Sequence, residues 1–282
     1  MAQESCPPPT WTKQSLEQLQ VARWQLPDSS ATASLAQALI PCLAHPDPQL
    51  RDGLAFEALS TWLRAKTLDG AMQRQLMKGL LLQLQIPDAQ GFSQPFSALA
   101  LAEVARADRV APFLTAAERD ELLVAAERYL SGISDYRGWV DGQGWRHGVA
   151  HAADWMMQLA LNPAMEAAQL KRIAQAVQAQ VAPRSGHAYV FGESERLARP
   201  MYFVARRGLL TLDWWQSWLQ ALAAPPPHQG WGAAMQTSAG LASLHNTKAF
   251  LRALYWQLQE TPQEPLRREL LEPVRQALRA LP

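Results

Sequence analysis

The chain has 282 residues, with 26 Lys and Arg against 25 Asp and Glu and a formal charge of +1. No basic excess is available to drive phosphate-backbone binding, so no nucleic-acid partner is expected. With 48% hydrophobic residues, 18% charged residues and 11 Trp, the composition excludes intrinsic disorder and supplies material for a large core.

In chain order, the opening Met1 to Cys6 has neither a cationic start nor an apolar core, so no signal peptide is read there. Residues 1–12 are expected to form an extended, proline-rich arm carrying Pro7, Pro8 and Pro9. Cys6 lies on that arm and Cys42 at the end of an apolar helical run. Two readings stay open: a disulfide stapling the arm to the first helix pair, or two unrelated thiols, one exposed and one in the core.

Helical periodicity predicts runs over 13–24 and 30–44. A third run covers 47–63, where Asp47-Pro48 is a helix-start signal and Leu50, Leu54, Ala58, Leu59 and Trp62 share one stripe. Its opening, Asp47 to Arg51, has the look of a HEAT-type helix start. Further runs follow over 69–85, 94–107, 115–131, 144–160, 164–181, 194–207, 211–223, 240–258 and 266–280, for about twelve helices in all. Residues 188–191 alone have a short extended character. The longest charge-free stretch, 214–247, is broken by Pro225, Pro226 and Pro227, so no membrane-spanning helix is expected. Trp214, Trp215, Trp218 and Trp231 in that stretch read as a contact surface or as core. The i, i+1, i+4 spacing of the first three favours core.

Helix pairs recur about every 35 to 45 residues, the spacing of helical repeats. The expected fold is therefore all-α, an alpha-solenoid or HEAT-like stack of antiparallel helix pairs sharing one core over 1–282 as a single domain; no motif returns at a fixed period, which leaves a closed helical toroid or an irregular bundle as alternatives.

Chemistry concentrates at two places. In residues 135–155 a glycine-rich stretch leads into a helix, with Trp145 at its edge and His147, His151 and Asp154 at spacing 0, 4, 7. That spacing puts the three on one helical face, where two imidazoles and a carboxylate suit Zn²⁺ or another divalent transition metal. The bland alternative is two buried histidines bonding neighbouring helices, with Asp154 fixing a tautomer. A histidine pair also leads one to expect ligand binding that weakens below about pH 6.5. In the second cluster Ser194 reads as a helix cap and Glu195 with Arg199 as an i,i+4 pair. A sharper reading makes Glu193 or Glu195 a further ligand or base, and Arg196 or Arg199 an anion clamp.

The block Gly144 to Asp154, followed by Gly192 to Arg199, resembles the signature of an uncharacterised bacterial family, domain of unknown function 2785; Phe92 to Leu99 and Asn246 to Tyr255 resemble its other blocks. The resemblance spans about 45–260 and implies an all-helical, HEAT-like fold without an activity. Some relatives resemble exported proteins, which favours a periplasmic or secreted location over a cytoplasmic one, and with it the Cys6–Cys42 disulfide. Together these readings suggest a helical-repeat binding or interaction module for a protein or small-molecule ligand, with a polar pocket formed by His147, His151, Asp154, Glu193 and Glu195. The alternative is a metal-dependent hydrolase using His147, His151, Asp154 and a Glu from 193–195.

Overall fold

Helices begin where a short polar side chain can meet the first unpaired amides, and this chain supplies such caps repeatedly. Thr12, Asp28, Asp69, Thr115, Thr211 and Thr237 each accept an amide hydrogen bond at a helix start, and Thr115 forms a capping box with Glu118. The structure, a computed structural model, describes residues 6–86, 88–225, 230–260 and 265–282, apart from the side chains at 266 and 267. Residues 1–5 of the expected arm, and Pro226, Pro227 and His228, lie outside the described residues.

Among the described residues there are thirteen α-helices. They are α1 (Lys13–Val21), α2 (Ser29–Ala38), α3 (Glu57–Ala65), α4 (Gly70–Leu84), α5 (Ser93–Val110), α6 (Ala116–Gly132), α7 (Gly148–Ala160), α8 (Ala167–Val181), α9 (Glu193–Arg206), α10 (Leu212–Ala223), α11 (Trp231–Ala234), α12 (Ser238–Gln259) and α13 (Pro265–Arg279). The class is all-α, as the periodicity predicts. The run expected over 30–44 divides, its end winding as a 3₁₀ helix over Ile40–Ala44. The run expected over 47–63 starts as a π-helix, Gln49–Phe56, and passes directly into α3.

In the packing α5 lies against α7, α7 against α9 and α9 against α12, while α6 contacts α7 and α8, and α8 contacts α9. One cluster of buried side chains runs from Leu16 to Leu281. Trp215 and Trp218 belong to it, Trp218 meeting the Phe250 ring edge-on at 6.1 Å, so these tryptophans are core. At the far end of α5 the buried Asp108 accepts from the Phe113 and Leu114 amides, from Arg119 Nε at 2.7 Å and from Asn162 Nδ2 at 2.9 Å.

Cys6 and Cys42 form a disulfide. Next to it residues 8–11 close a turn, the Trp11 amide bonding the Pro8 carbonyl at 2.8 Å, so this part of the arm is folded where an extended course was expected.

The extended piece expected over 188–191 is not a strand, and the helix expected from 144 starts at Gly148. Ahead of both in the chain lies an unexpected hairpin, β1 (Trp139–Val140) with β2 (Gly144–Trp145), pairing Trp139 with Trp145 and Val140 with Gly144. Gly142 at φ 74° and Gly144 at φ 80° occupy the left-handed region that the turn demands and that side chains resist.

Candidate functional site

The hairpin and four neighbouring elements surround an open cavity of about 450 Å³. Asp52 and Phe56 reach it from the π-helix, Phe96 and Leu99 from α5, Trp145 from β2, His147 and His151 from the start of α7, Phe191 from the loop before α9, and Arg196 from α9. Backbone bonds from the Arg146 amide to Gly138 O (3.0 Å) and from the His147 amide to Arg137 O (3.1 Å) extend the hairpin pairing up to the helix.

His147 is not on the helix face that its spacing suggests. It precedes α7 as the N-cap residue, in the left-handed region at φ 54°, a conformation that costs a non-glycine residue about 1 kcal/mol. The strained backbone lays its ring on Trp145, centroids 4.6 Å apart and planes 16° from parallel, and 6.0 Å from the His151 ring. Trp145 in turn meets Trp139 and Phe191 edge-on at 5.3 and 5.7 Å.

Both imidazoles are neutral at ordinary pH. Burial first, and then the Arg196 charge, lower His147 to about 4 against a backbone hydrogen bond at Phe191. Burial first, then the charges of His147 and Arg196, lower His151 to about 3. His151 Nδ1 lies 3.1 Å from the Pro95 carbonyl, which accepts its proton and leaves Nε2 as an acceptor. His147 Nε2 is buried without a hydrogen-bond partner, 3.9 Å from Glu193 Oε1. The expectation of pH-sensitive binding below 6.5 is therefore corrected, because the pair stays neutral far below that value.

Asp154 does not join the histidines. Both its oxygens are held by Arg196, with Nε at 2.9 Å from Oδ1. Its pKa is raised, burial outweighing that guanidinium. Among the described residues no group of three or more His, Cys, Asp or Glu is placed to hold a metal ion. Glu193 is buried, its Oε2 accepting from the Phe191 amide at 2.9 Å and fixing the loop that carries Phe191. Glu195 and Arg199 are exposed, the Arg199 charge still acting to lower Asp154. Ser194 is buried inside the first turn of α9, and Gly192 is the cap residue.

Several residues of this site were not picked out by sequence reasoning. Arg51 is fully buried, with its guanidinium carbon 3.9 Å from the Phe92 ring centre and 4.8 Å from that of Phe96. It donates to Asp52 (2.6 Å), to His45 O (3.0 Å) and to Gln143 O (3.1 Å), tying the π-helix to the hairpin. Its signal was a charge on the apolar stripe, three residues before Leu54 and four before Ala55. The blocks 92–99, 144–154 and 192–199 all reach this cavity. Asn246 holds the loop beside it, donating to His187 O (2.8 Å) and accepting from the Tyr189 amide (2.9 Å).

Residues 80–256 match the model of a family described as Protein of unknown function (DUF2785). No curated protein and no solved structure matches the chain. Among the described residues, no helix is long and apolar enough to cross a membrane.

Proposed function

Because the chain belongs to the DUF2785 family, whose description assigns no activity, its function has to be sought in the cavity, and we propose that the protein is a helical-repeat binding module for a small, neutral, hydroxylated ring compound. The observation that carries this reading is the meeting of Trp145, Phe191, His147 and His151 around one open cavity of about 450 Å³. Its size is that of small-molecule sites, about 300 to 1,000 Å³, which are mostly apolar with a few placed polar groups. Aromatic faces suit the apolar face of a ring, and His151 Nε2 suits a hydroxyl donor. The Arg196 charge is spent on Asp154, which disfavours an anion. The hydrolase alternative needs a ligand set that Asp154, held by Arg196, does not supply. The Cys6–Cys42 disulfide supports an oxidising, extracytoplasmic location as part of the same reading.

The test is saturation-transfer NMR with a panel of monosaccharides and inositols. A bound member of the panel should lose affinity by about tenfold or more in Trp145→Ala and in Phe191→Ala, through loss of stacking. Absence of binding across the panel, or binding indifferent to both substitutions, overturns the reading.

A further inference from the structure

The segment that joins β2 to α7 serves the first cavity and also a second one. Trp145 and His147 line the first, while Arg146 between them lines a separate cavity of about 420 Å³ enclosed by α4, α5, α6 and the 133–135 loop. Trp145 and Arg146, successive at the end of the hairpin, thus serve different cavities.

Arg146 is 3% exposed. Its Nε donates to Gln90 O and its Nη2 to Gln143 Oε1, each at 2.6 Å, and its guanidinium carbon lies 4.3 Å from the Phe92 ring centre. Its Nη1 is buried with no hydrogen-bond partner. A buried donor left unpaired is costly, more so on a cation. The two carboxylates in the same wall do not answer it. Asp88 accepts from the amides of Gly91, Phe92 and Ser93, and Asp135 is held by Arg137. Tyr129 also lines the cavity, its phenol kept protonated because burial, and then the Asp135 charge, push its pKa up. The lining also includes a set of apolar side chains, Leu81, Leu84, Pro95, Ala125 and Ile133, alongside the polar Gln85, Gln94, Arg128 and Ser134.

We propose that this second cavity binds a small amphipathic carboxylate, its anionic head on Arg146 Nη1 and its apolar body against Leu81, Leu84 and Ile133. The space is far larger than the ~30 Å³ of one water. Two arginines, Arg128 and Arg146, and two aspartates, Asp88 and Asp135, line the cavity, and the aspartates disfavour a dianion such as phosphate relative to a single negative charge. The site is separate from the cavity of the proposed ring-compound reading, and neither depends on the other.

Isothermal titration of the full disulfide-bonded chain decides the matter, with sodium octanoate, octanamide and inorganic phosphate as probes. Octanoate should bind one to one, about tenfold or more tighter than octanamide, because only the carboxylate meets the guanidinium with a charge-assisted bond. Arg146→Gln should remove that preference. Since Arg146 also holds Gln90 and Gln143, a second variant, Ala125→Phe, fills the apolar side without touching the arginine and should abolish octanoate binding. Equal affinity for octanoate and octanamide, a preference for phosphate, no binding of octanoate, or octanoate binding unchanged in Ala125→Phe would each overturn the proposal.

Discussion

Replacing His147 and His151 together by Asn should flatten the acid limb of the stability curve. In the unfolded chain both imidazoles have an ordinary pKa near 6.5, whereas the folded protein holds them at about 4 and about 3, chiefly by burial. Between those values and 6.5 the unfolded state binds more protons than the folded one, so stability is complete above pH 6.5 and falls as the pH drops. At pH 5 each histidine is almost wholly protonated when unfolded and almost wholly neutral when folded. By proton linkage each should withdraw about 2 kcal/mol between pH 7.5 and pH 5, or about 4 kcal/mol for the pair. Urea unfolding followed by far-UV circular dichroism measures it at both pH values in low salt. Carboxylates contribute to the wild-type slope as well, so the informative quantity is the difference between wild type and the double variant, expected to be about 4 kcal/mol smaller in the variant. Identical slopes for the two proteins would show that the histidines are solvated when folded, and the buried, neutral site would be refuted.

Reducing the Cys6–Cys42 disulfide should cost about 3 to 4 kcal/mol by the chain-entropy model; two free thiols in protein never exposed to reductant would contradict the bond. Asp108→Ala should destabilise by about 3 to 5 kcal/mol, since it strands Arg119 and two buried amides; a loss below about 1 kcal/mol in chemical unfolding would show that the network contributes little. Because Arg196 occupies both Asp154 oxygens, incubation with zinc followed by dialysis should leave well under one equivalent bound. A full equivalent that His147→Ala removes would show that the ligand set reassembles.

Residue order alone determined most of the helical segments, though not the short α11, because apolar periodicity and polar caps act within a few turns of the chain. Thr115 with Glu118, and the stripe from Leu50 to Trp62, announce helices without knowledge of any partner. Trp215 and Trp218 could be assigned to the core in the same way, from spacing on one helix. The hairpin at 139–145 escaped because two-residue strands carry no period, and only its positively twisted glycines and its packing against Arg51 and Phe191 define it. His147 was placed on the helix because spacing 0, 4, 7 assumes unbroken winding, whereas the hairpin pairing holds its backbone in the left-handed region before the helix begins. Whether Asp154 would face a metal or a guanidinium depended on Arg196, 42 residues away, reaching across from α9. Burial of Arg51 and Arg146 beside one phenylalanine, and the two cavities served by neighbouring residues 145–147, come from long-range packing of the helices, which local sequence pattern does not encode.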